Sequence, residues 1–136
     1  MAVIDDLVTV PLFNSLAEPE LDELAKWFHH QNAGEGKRLV GEGAPGYTFF
    51  VIVDGTAVVT TDGERLATLG PGEFFGEIAI LGKGRRTATV TSTSPVRLLV
   101  LFGTEFRQLE AAQPQIAAQI LEAMQSRVSG RVSEPA

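Results

Sequence analysis

The chain has 136 residues, of which 44% are hydrophobic and 21% are charged. This length and composition predict one soluble globular domain with its own core and leave no room for a second folded unit. Cysteine is absent from the sequence, which excludes disulfides and thiolate metal sites. The formal net charge of −6 argues against nucleic-acid binding by this chain alone.

The start of the chain and its hydropathy bear on location. Asp5 and Asp6 lie near the N-terminus, and no apolar run follows a basic start as it does in a secretory leader. No apolar stretch approaches the roughly 20 residues that a membrane-spanning helix needs. We therefore expect a cytoplasmic protein without a membrane partner.

Residues from about 5 to 33 are predicted to be helical. Pro19 suits the first turn of a helix. The apolar residues after it follow the i, i+3, i+4, i+7 spacing of a core-facing stripe, at Leu21, Leu24, Ala25 and Phe28. His29 and His30 stand as neighbours near the predicted helix end. Adjacent residues on a helix do not face one ligand, so we expect exposed or half-buried histidines and no metal site.

From about residue 37 to residue 102 the pattern is that of short strands separated by turns. Asp54-Gly55, Asp62-Gly63 and Gly70-Pro71-Gly72 are turn signals. The predicted strands between such signals are 47–53, 56–61, 65–69, 87–91 and 96–102. Short strands at regular spacing predict an antiparallel β-roll or jelly roll and not a parallel sheet.

Residues 41–46 formally satisfy the spacing G-x-G-x-x-G. A dinucleotide-binding fingerprint has to open a helix, with an acidic residue about twenty positions further on. Here the segment leads into the predicted strand 47–53. It is therefore interpreted as a turn between strands and not as a Rossmann motif.

After Gly103 the helical period returns. Thr104 is predicted as the N-cap of a short helix, and Pro114 is predicted to open a second helix. The second helix has apolar residues at successive i+4 steps, at Ile116, Ile120, Met124 and Val128. The predicted fold class is α+β, with helices at about 5–33, a β-roll at about 37–102 and helices at about 104–128, all in one domain over residues 1–136.

The most informative segment lies between two predicted strands. Residues 75–81 read Phe-Gly-Glu-Ile-Ala-Ile-Leu, and residues 84–90 read Gly-Arg-Arg-Thr-Ala-Thr-Val. Backbone N–H groups at a helix start and a guanidinium can hold a phosphate, and a carboxylate can accept hydrogen bonds from a sugar hydroxyl. The apolar residues expected to anchor a short helical turn on the roll are Phe74, Phe75, Ile78, Ile80 and Leu81.

Taken alone, Gly76 would be a turn residue, Glu77 a solvated charge and Arg86 an exposed strand end. Their joint pattern, in the order helix, β-roll, helix, resembles the phosphate-binding cassette of cyclic nucleotide-binding domains. The resemblance spans about residues 12–128 and implies that a cyclic nucleotide binds at this segment.

The resemblance also implies a role for each matched residue. Gly76 would let the backbone approach the ligand. Glu77 would accept a hydrogen bond from the ribose 2′-hydroxyl, and Arg86 would pair with the phosphate. Backbone or hydroxyl contacts are implied for Ile78, Ala79, Thr87 and Ala88.

Two choices stay open at this site. The Arg-Thr-Ala-Thr-Val register assigns the phosphate to Arg86 and leaves Arg85 and Lys83 as rim charges, but a loop shifted by one residue would change that assignment. Thr87 does not separate cAMP from cGMP, because family members that bind either nucleotide carry a hydroxyl at this position.

In the family, a C-terminal helix often covers the base as a lid. Met124, Arg127 and Val128 are the candidates here, since apolar and cationic groups can cover a purine face. The alternative for Met124 is packing in the core of an amphipathic helix.

The implied function is a sensing and regulatory module without catalysis, whose ligand is cAMP or cGMP and which needs no further cofactor. Its flanking helices would signal to an effector domain or partner protein; the oligomeric state is left open. One alternative is a degenerate member used for protein contacts or another ligand. The other is a cupin-like metal enzyme, which needs about three inward histidine or carboxylate ligands on strands, and the predicted strands contain no histidine.

Overall fold

The structure is a computed structural model, and it describes residues 3–41, 43, 48–76 and 88–130, the last four of these as backbone only. Helices lie at both ends of this part of the chain. They are α1 (Val3–Leu7), a 3-10 helix (Pro11–Phe13), α2 (Glu18–Ala25), α3 (Gly103–Ala112) and α4 (Pro114–Gly130). None of the helices within the described ranges is long and apolar enough to cross a bilayer.

The described residues between the helices form eight strands. These are β1 (His29–Ala33), β2 (Arg38–Val40), β3 (Thr48–Asp54), β4 (Ala57–Thr61), β5 (Glu64–Leu69), β6 (Phe74–Phe75), β7 (Thr89–Ser92) and β8 (Val96–Phe102). One sheet has the order β1-β8-β3-β6 and the other β2-β7-β4-β5. All neighbouring strands are antiparallel. The predicted antiparallel roll with flanking helices is confirmed.

Strand β3 is shared by two apolar clusters. Adjacent residues on a strand point to opposite faces, and both faces of β3 are covered, so four successive residues from Phe49 to Ile52 are buried. The helical cluster contains Phe49 and Val51 of β3 together with buried residues of the flanking helices. The roll cluster contains Phe50 and Ile52 together with buried residues of both sheets.

The turn between β3 and β4 depends on Gly55. Its φ is +94°, and a Cβ built on it would lie 2.3 Å from the carbonyl oxygen of Pro95. That backbone conformation is costly for residues with a Cβ, and the close carbonyl leaves no space for one. The predicted turn signal at Asp54-Gly55 is therefore confirmed.

The prediction of helix up to residue 33 is wrong at its end. Helix α2 ends at Ala25, and residues His29–Ala33 form β1, which pairs with β8 along its whole length. This edge strand is exposed at four of its five positions. It therefore lacks the alternation of buried and exposed residues that identifies a strand from sequence.

One further expectation is corrected at the end of β8. Helix α3 begins at Gly103, so Thr104 lies in its first turn, and the N-cap is Phe102, whose N–H donates to Glu105 Oε1 at 3.3 Å. Phe74 and Phe75, expected to anchor a short helical turn, form β6, and the turn itself lies outside the described residues. The predicted helix start at Pro114 is confirmed.

Candidate ligand-binding site

The predicted binding segment, residues 76–88, begins where β6 leaves its sheet. Phe75 pairs with Phe50 of β3 in the antiparallel ladder, and their rings stack with centroids 4.8 Å apart and an interplanar angle of 12°. Gly76 follows directly, is buried and has a φ of +78°. Residues with a Cβ rarely adopt this conformation. The backbone at the start of the segment therefore favours glycine.

The turn before β6 is held by backbone and side-chain hydrogen bonds. The Gly70 N–H donates to Glu73 Oε1 at 2.8 Å, and the Glu73 N–H donates to the Gly70 carbonyl at 3.1 Å. On the other side, the Ile52 N–H donates to the Glu73 carbonyl at 2.9 Å. The chain therefore reaches β6 from a fixed position. Sequence reasoning identified the Gly70-Pro71-Gly72 turn but missed the role of Glu73.

The binding segment ends in the same apolar cluster in which it begins. Ala88 is 1% exposed and belongs to the roll cluster, as do Phe50 and Phe75. Strand β7 begins at the next residue. Both ends of the segment are thus anchored in the interior of the roll.

The structure places Gly76 and Ala88 of the predicted site residues. Glu77, Ile78, Ala79, Arg86 and Thr87 lie outside the described residues, and so do Ile80, Leu81, Lys83 and Arg85. The ligand contacts assigned to all of them stay predictions.

Met124 occupies a core position in helix α4. It is fully buried in the helical cluster. This agrees with the alternative that Met124 packs in the core and does not cover the base. It therefore has no exposed surface with which to cover a base in this arrangement. Arg127 and Val128 lie on the same helix, but their side chains are not described, and a lid role for them stays a prediction.

A polar network joins α1 to the sheet on which the predicted segment begins. The Asp6 carboxylate is almost completely buried, and its Oδ2 lies 2.6 Å from both His30 Nε2 and Arg97 Nη1. Arg97 also donates to Asp54 Oδ2, at 2.8 Å from Nη2. Burial raises the pKa of Asp6, but the hydrogen bonds from His30 and Arg97 outweigh it and hold that pKa below its ordinary value.

His29, the other histidine of β1, is also paired with a carboxylate. His29 Nε2 lies 2.9 Å from Glu105 Oε2 of α3. Both histidines therefore lie on a strand, which corrects the expectation that the strands contain none, and each contacts a carboxylate of a flanking helix. Among the described residues, no group of three histidine, aspartate or glutamate side chains is placed to hold a metal ion. We interpret the two histidine–carboxylate contacts as interactions that hold β1 against the flanking helices.

The fold is an antiparallel β-roll of two sheets with flanking helices. The segment between β6 and β7 begins at Gly76. The family model of the cyclic nucleotide-binding domain matches residues 30–113 of the chain. The chain therefore belongs to the cyclic nucleotide-binding domain family.

Similar proteins occur in several regulatory contexts. A cyclic nucleotide-gated potassium channel of Rhizobium etli is 32% identical over 128 residues, which are 94% of this chain and 36% of the channel. A cAMP-dependent protein kinase regulatory subunit of Hypocrea atroviridis is 31% identical over 103 residues, which are 76% of this chain and 22% of that subunit. The chain thus spans a minor part of both relatives.

A solved structure is similar over nearly its whole length. It is the N-terminal domain of a transcriptional regulator from Streptomyces coelicolor A3(2), with a TM-score of 0.76 and 30% sequence identity. The match covers 93% of this chain and 92% of that domain.

Proposed function

We propose that this chain is a sensing module that binds a 3′,5′-cyclic nucleotide, cAMP or cGMP, at residues 76–88 and has no catalytic activity. The observation that carries the proposal is the match of the family model to residues 30–113, which include the whole predicted binding segment. The buried Gly76 with its positive φ and the buried Ala88 support it, since they fix both ends of that segment in the roll.

The charges of the segment fit such a ligand. Arg86 would pair with the phosphate through its guanidinium, and Glu77 would accept a hydrogen bond from the ribose 2′-hydroxyl. The remaining ligand contacts would come from Gly76, Ile78, Ala79, Thr87 and Ala88. Exposed charges beyond roughly 8–10 Å are largely screened at physiological salt. The net charge of −6 therefore does not oppose an anion beside Arg86.

The layout of the sheets supports signalling through the flanking helices. One face of β3 packs in the roll cluster, and the other packs in the helical cluster. A ligand that prefers one arrangement of the helices would shift them towards that arrangement by its difference in affinity. The effector is an attached domain or a partner protein, as the channel and kinase relatives suggest, and the proposed location is the cytoplasm.

Calorimetric titration with cAMP and with cGMP tests the binding site. The variants are Arg86→Ala and Glu77→Ala, with Arg85→Ala as the matched control because Arg85 is the neighbouring arginine. A charge-assisted hydrogen bond contributes about 1.5–3 kcal/mol, so Arg86→Ala should weaken binding by at least about ten- to a hundredfold. Arg85→Ala should change the affinity by less than about threefold.

The outcomes separate the two functions considered. If wild type binds neither nucleotide at millimolar concentration, the chain is a degenerate member that serves protein contacts or another ligand. If wild type binds and Arg85→Ala, not Arg86→Ala, loses affinity for the nucleotide, then Arg85 is the residue that pairs with the phosphate. A ligand at about a hundred times its dissociation constant should also stabilise the fold by about 2.7 kcal/mol.

A further inference from the structure

We propose that Phe50 is a positioning residue for ligand binding, because its ring stacks on Phe75 and thereby holds Gly76 at the start of the binding segment. The inference rests on the proposed function and adds a residue outside that segment. Phe50 lies on β3, 26 positions before Gly76 in the chain.

Strand β6 forms few ladder pairs of its own. It has two residues, lies at the edge of its sheet and pairs with β3 at only two positions, Phe50 with Phe75 and Val51 with Phe74. So short an edge strand has few ladder hydrogen bonds to resist displacement. Beyond the hydrogen-bonded turn that precedes it, its position therefore depends on side-chain packing.

Two aromatic pairs supply that packing, one on each face of the sheet. Phe75 stacks on Phe50 within the roll cluster, as described above. Phe74 packs against Phe49 within the helical cluster, with centroids 5.6 Å apart and an interplanar angle of 48°. All four rings are buried. Only the pair inside the roll shares a cluster with the segment's last residue, Ala88.

Loss of the Phe50 ring would therefore loosen the start of the segment, where Phe75 precedes Gly76. Phe75 is covalently adjacent to Gly76, so a shift of the Phe75 ring moves the first amides of the segment. Binding groups must be held to within about 0.5 Å of their productive positions by the packing around them. Phe49 is less directly connected, because its partner Phe74 lies one residue further from Gly76 and packs on the helical face.

The test compares Phe50→Leu with Phe49→Leu. The two variants carry the same substitution at neighbouring buried positions, and each removes one aromatic pair, so similar losses of stability are expected. Affinity is measured by calorimetry with the nucleotide that wild type binds, under conditions in which urea curves show every variant to be folded. We expect Phe50→Leu to weaken binding by about three- to tenfold and Phe49→Leu by less than about twofold.

A purely structural role would leave the affinity of the folded protein unchanged. The inference is overturned if Phe50→Leu binds within about twofold of wild type, or if Phe49→Leu loses as much affinity. Phe50→Tyr, which keeps the ring, should retain the wild-type affinity. If Phe50→Leu does not fold, Phe50→Met replaces it, with Phe49→Met as its control, because methionine adapts to irregular space but has no ring.

A ligand-free measurement separates this inference from the proposed function. Hydrogen exchange at the Gly76 amide should be several-fold faster in Phe50→Leu than in Phe49→Leu, because local opening depends on the packing around the amide. If wild type binds no cyclic nucleotide, the proposed function fails, and the exchange rates still decide whether Phe50 positions the segment. Equal exchange rates in the two variants would reject the positioning role.

Discussion

Asp6→Asn tests whether a buried carboxylate holds the N-terminal helix to the sheet. An ionised carboxylate only accepts hydrogen bonds, so His30 Nε2 and Arg97 Nη1 both donate to Asp6 Oδ2, each at 2.6 Å. Asparagine keeps the shape of the side chain and removes its negative charge. Arg97 also pairs with Asp54, and this pair should persist in the variant, so the guanidinium keeps one carboxylate partner.

The size of the effect follows from burial. Removal of one partner from a fully buried ion pair costs about 3–5 kcal/mol, and a charge-assisted hydrogen bond contributes about 1.5–3 kcal/mol. The Asp6 side chain is 3% exposed, but those of His30 and Arg97 are 30% and 28% exposed and can be hydrated. We therefore expect a loss of about 2–3 kcal/mol in the free energy of unfolding. The control Asp54→Asn, whose side chain is 68% exposed, should cost less than about 1 kcal/mol.

The loss should depend on pH in a defined direction. The pKa of Asp6 is lower in the folded protein than its ordinary value. A carboxyl group with a lowered folded pKa stabilises the fold fully above its unfolded pKa, near 3.9, and this contribution is lost as the pH falls through the folded pKa. The difference between wild type and Asp6→Asn should thus be full at about pH 6 and smaller at about pH 3.

Urea-induced unfolding at these two pH values measures the difference. With a denaturant slope of about 1–3 kcal/mol per molar urea, the expected loss moves the midpoint by roughly 0.7–3 M at the higher pH. The reasoning is refuted if Asp6→Asn is no less stable than Asp54→Asn at that pH. It is also refuted if the loss caused by Asp6→Asn is as large at low pH.

Two other substitutions test local features of the fold. Gly55→Ala places a Cβ 2.3 Å from the Pro95 carbonyl oxygen at a φ of +94° and should cost at least about 2 kcal/mol in urea unfolding. Gly63→Ala, at a φ of +79° with open space around it, should cost only about 1–2 kcal/mol, and equal losses would contradict the steric argument. Ser92 is 2% exposed and its Oγ donates to the Gly34 carbonyl at 2.6 Å, so Ser92→Ala should lower Tm by roughly 4–12 °C. A fall of less than about 2 °C would mean that this hydrogen bond contributes little.

Much of the roll could be predicted because its signals are local. The turn at Asp54-Gly55 and the apolar run before it identify the end of β3 from adjacent residues alone. Strand β1 could not be predicted in the same way, since four of its five residues are polar and exposed and its structure depends on pairing with β8. His29, for example, pairs with Val100. A long-range ladder of this kind leaves no pattern in the sequence of the edge strand.

The candidate site likewise contains a residue that the local sequence predicted and residues that it did not predict. Gly76 was predicted from a local motif, and the structure gives it the positive φ that favours glycine. Phe50 was missed because a buried aromatic in a strand predicts only burial. A usable signal was the repeated pair of phenylalanines, at Phe49-Phe50 and again at Phe74-Phe75. The hydrogen bond between Arg97 and Asp6 could not be predicted from the sequence, because these residues are 91 positions apart and only the fold buries the carboxylate.

The alternation along β3 and β6 assigns different physical roles to neighbouring residues. Adjacent side chains on a strand face opposite sides of the sheet, so Phe49 and Phe74 stabilise the packing of the helices while Phe50 and Phe75 stabilise the interior of the roll. A displacement of the short strand β6 moves both of its rings, because one backbone carries them. Under the proposed function, a rearrangement of the segment that shifts Phe75 would also change the contact of Phe74 with the helical cluster, and the helices would respond without touching the ligand.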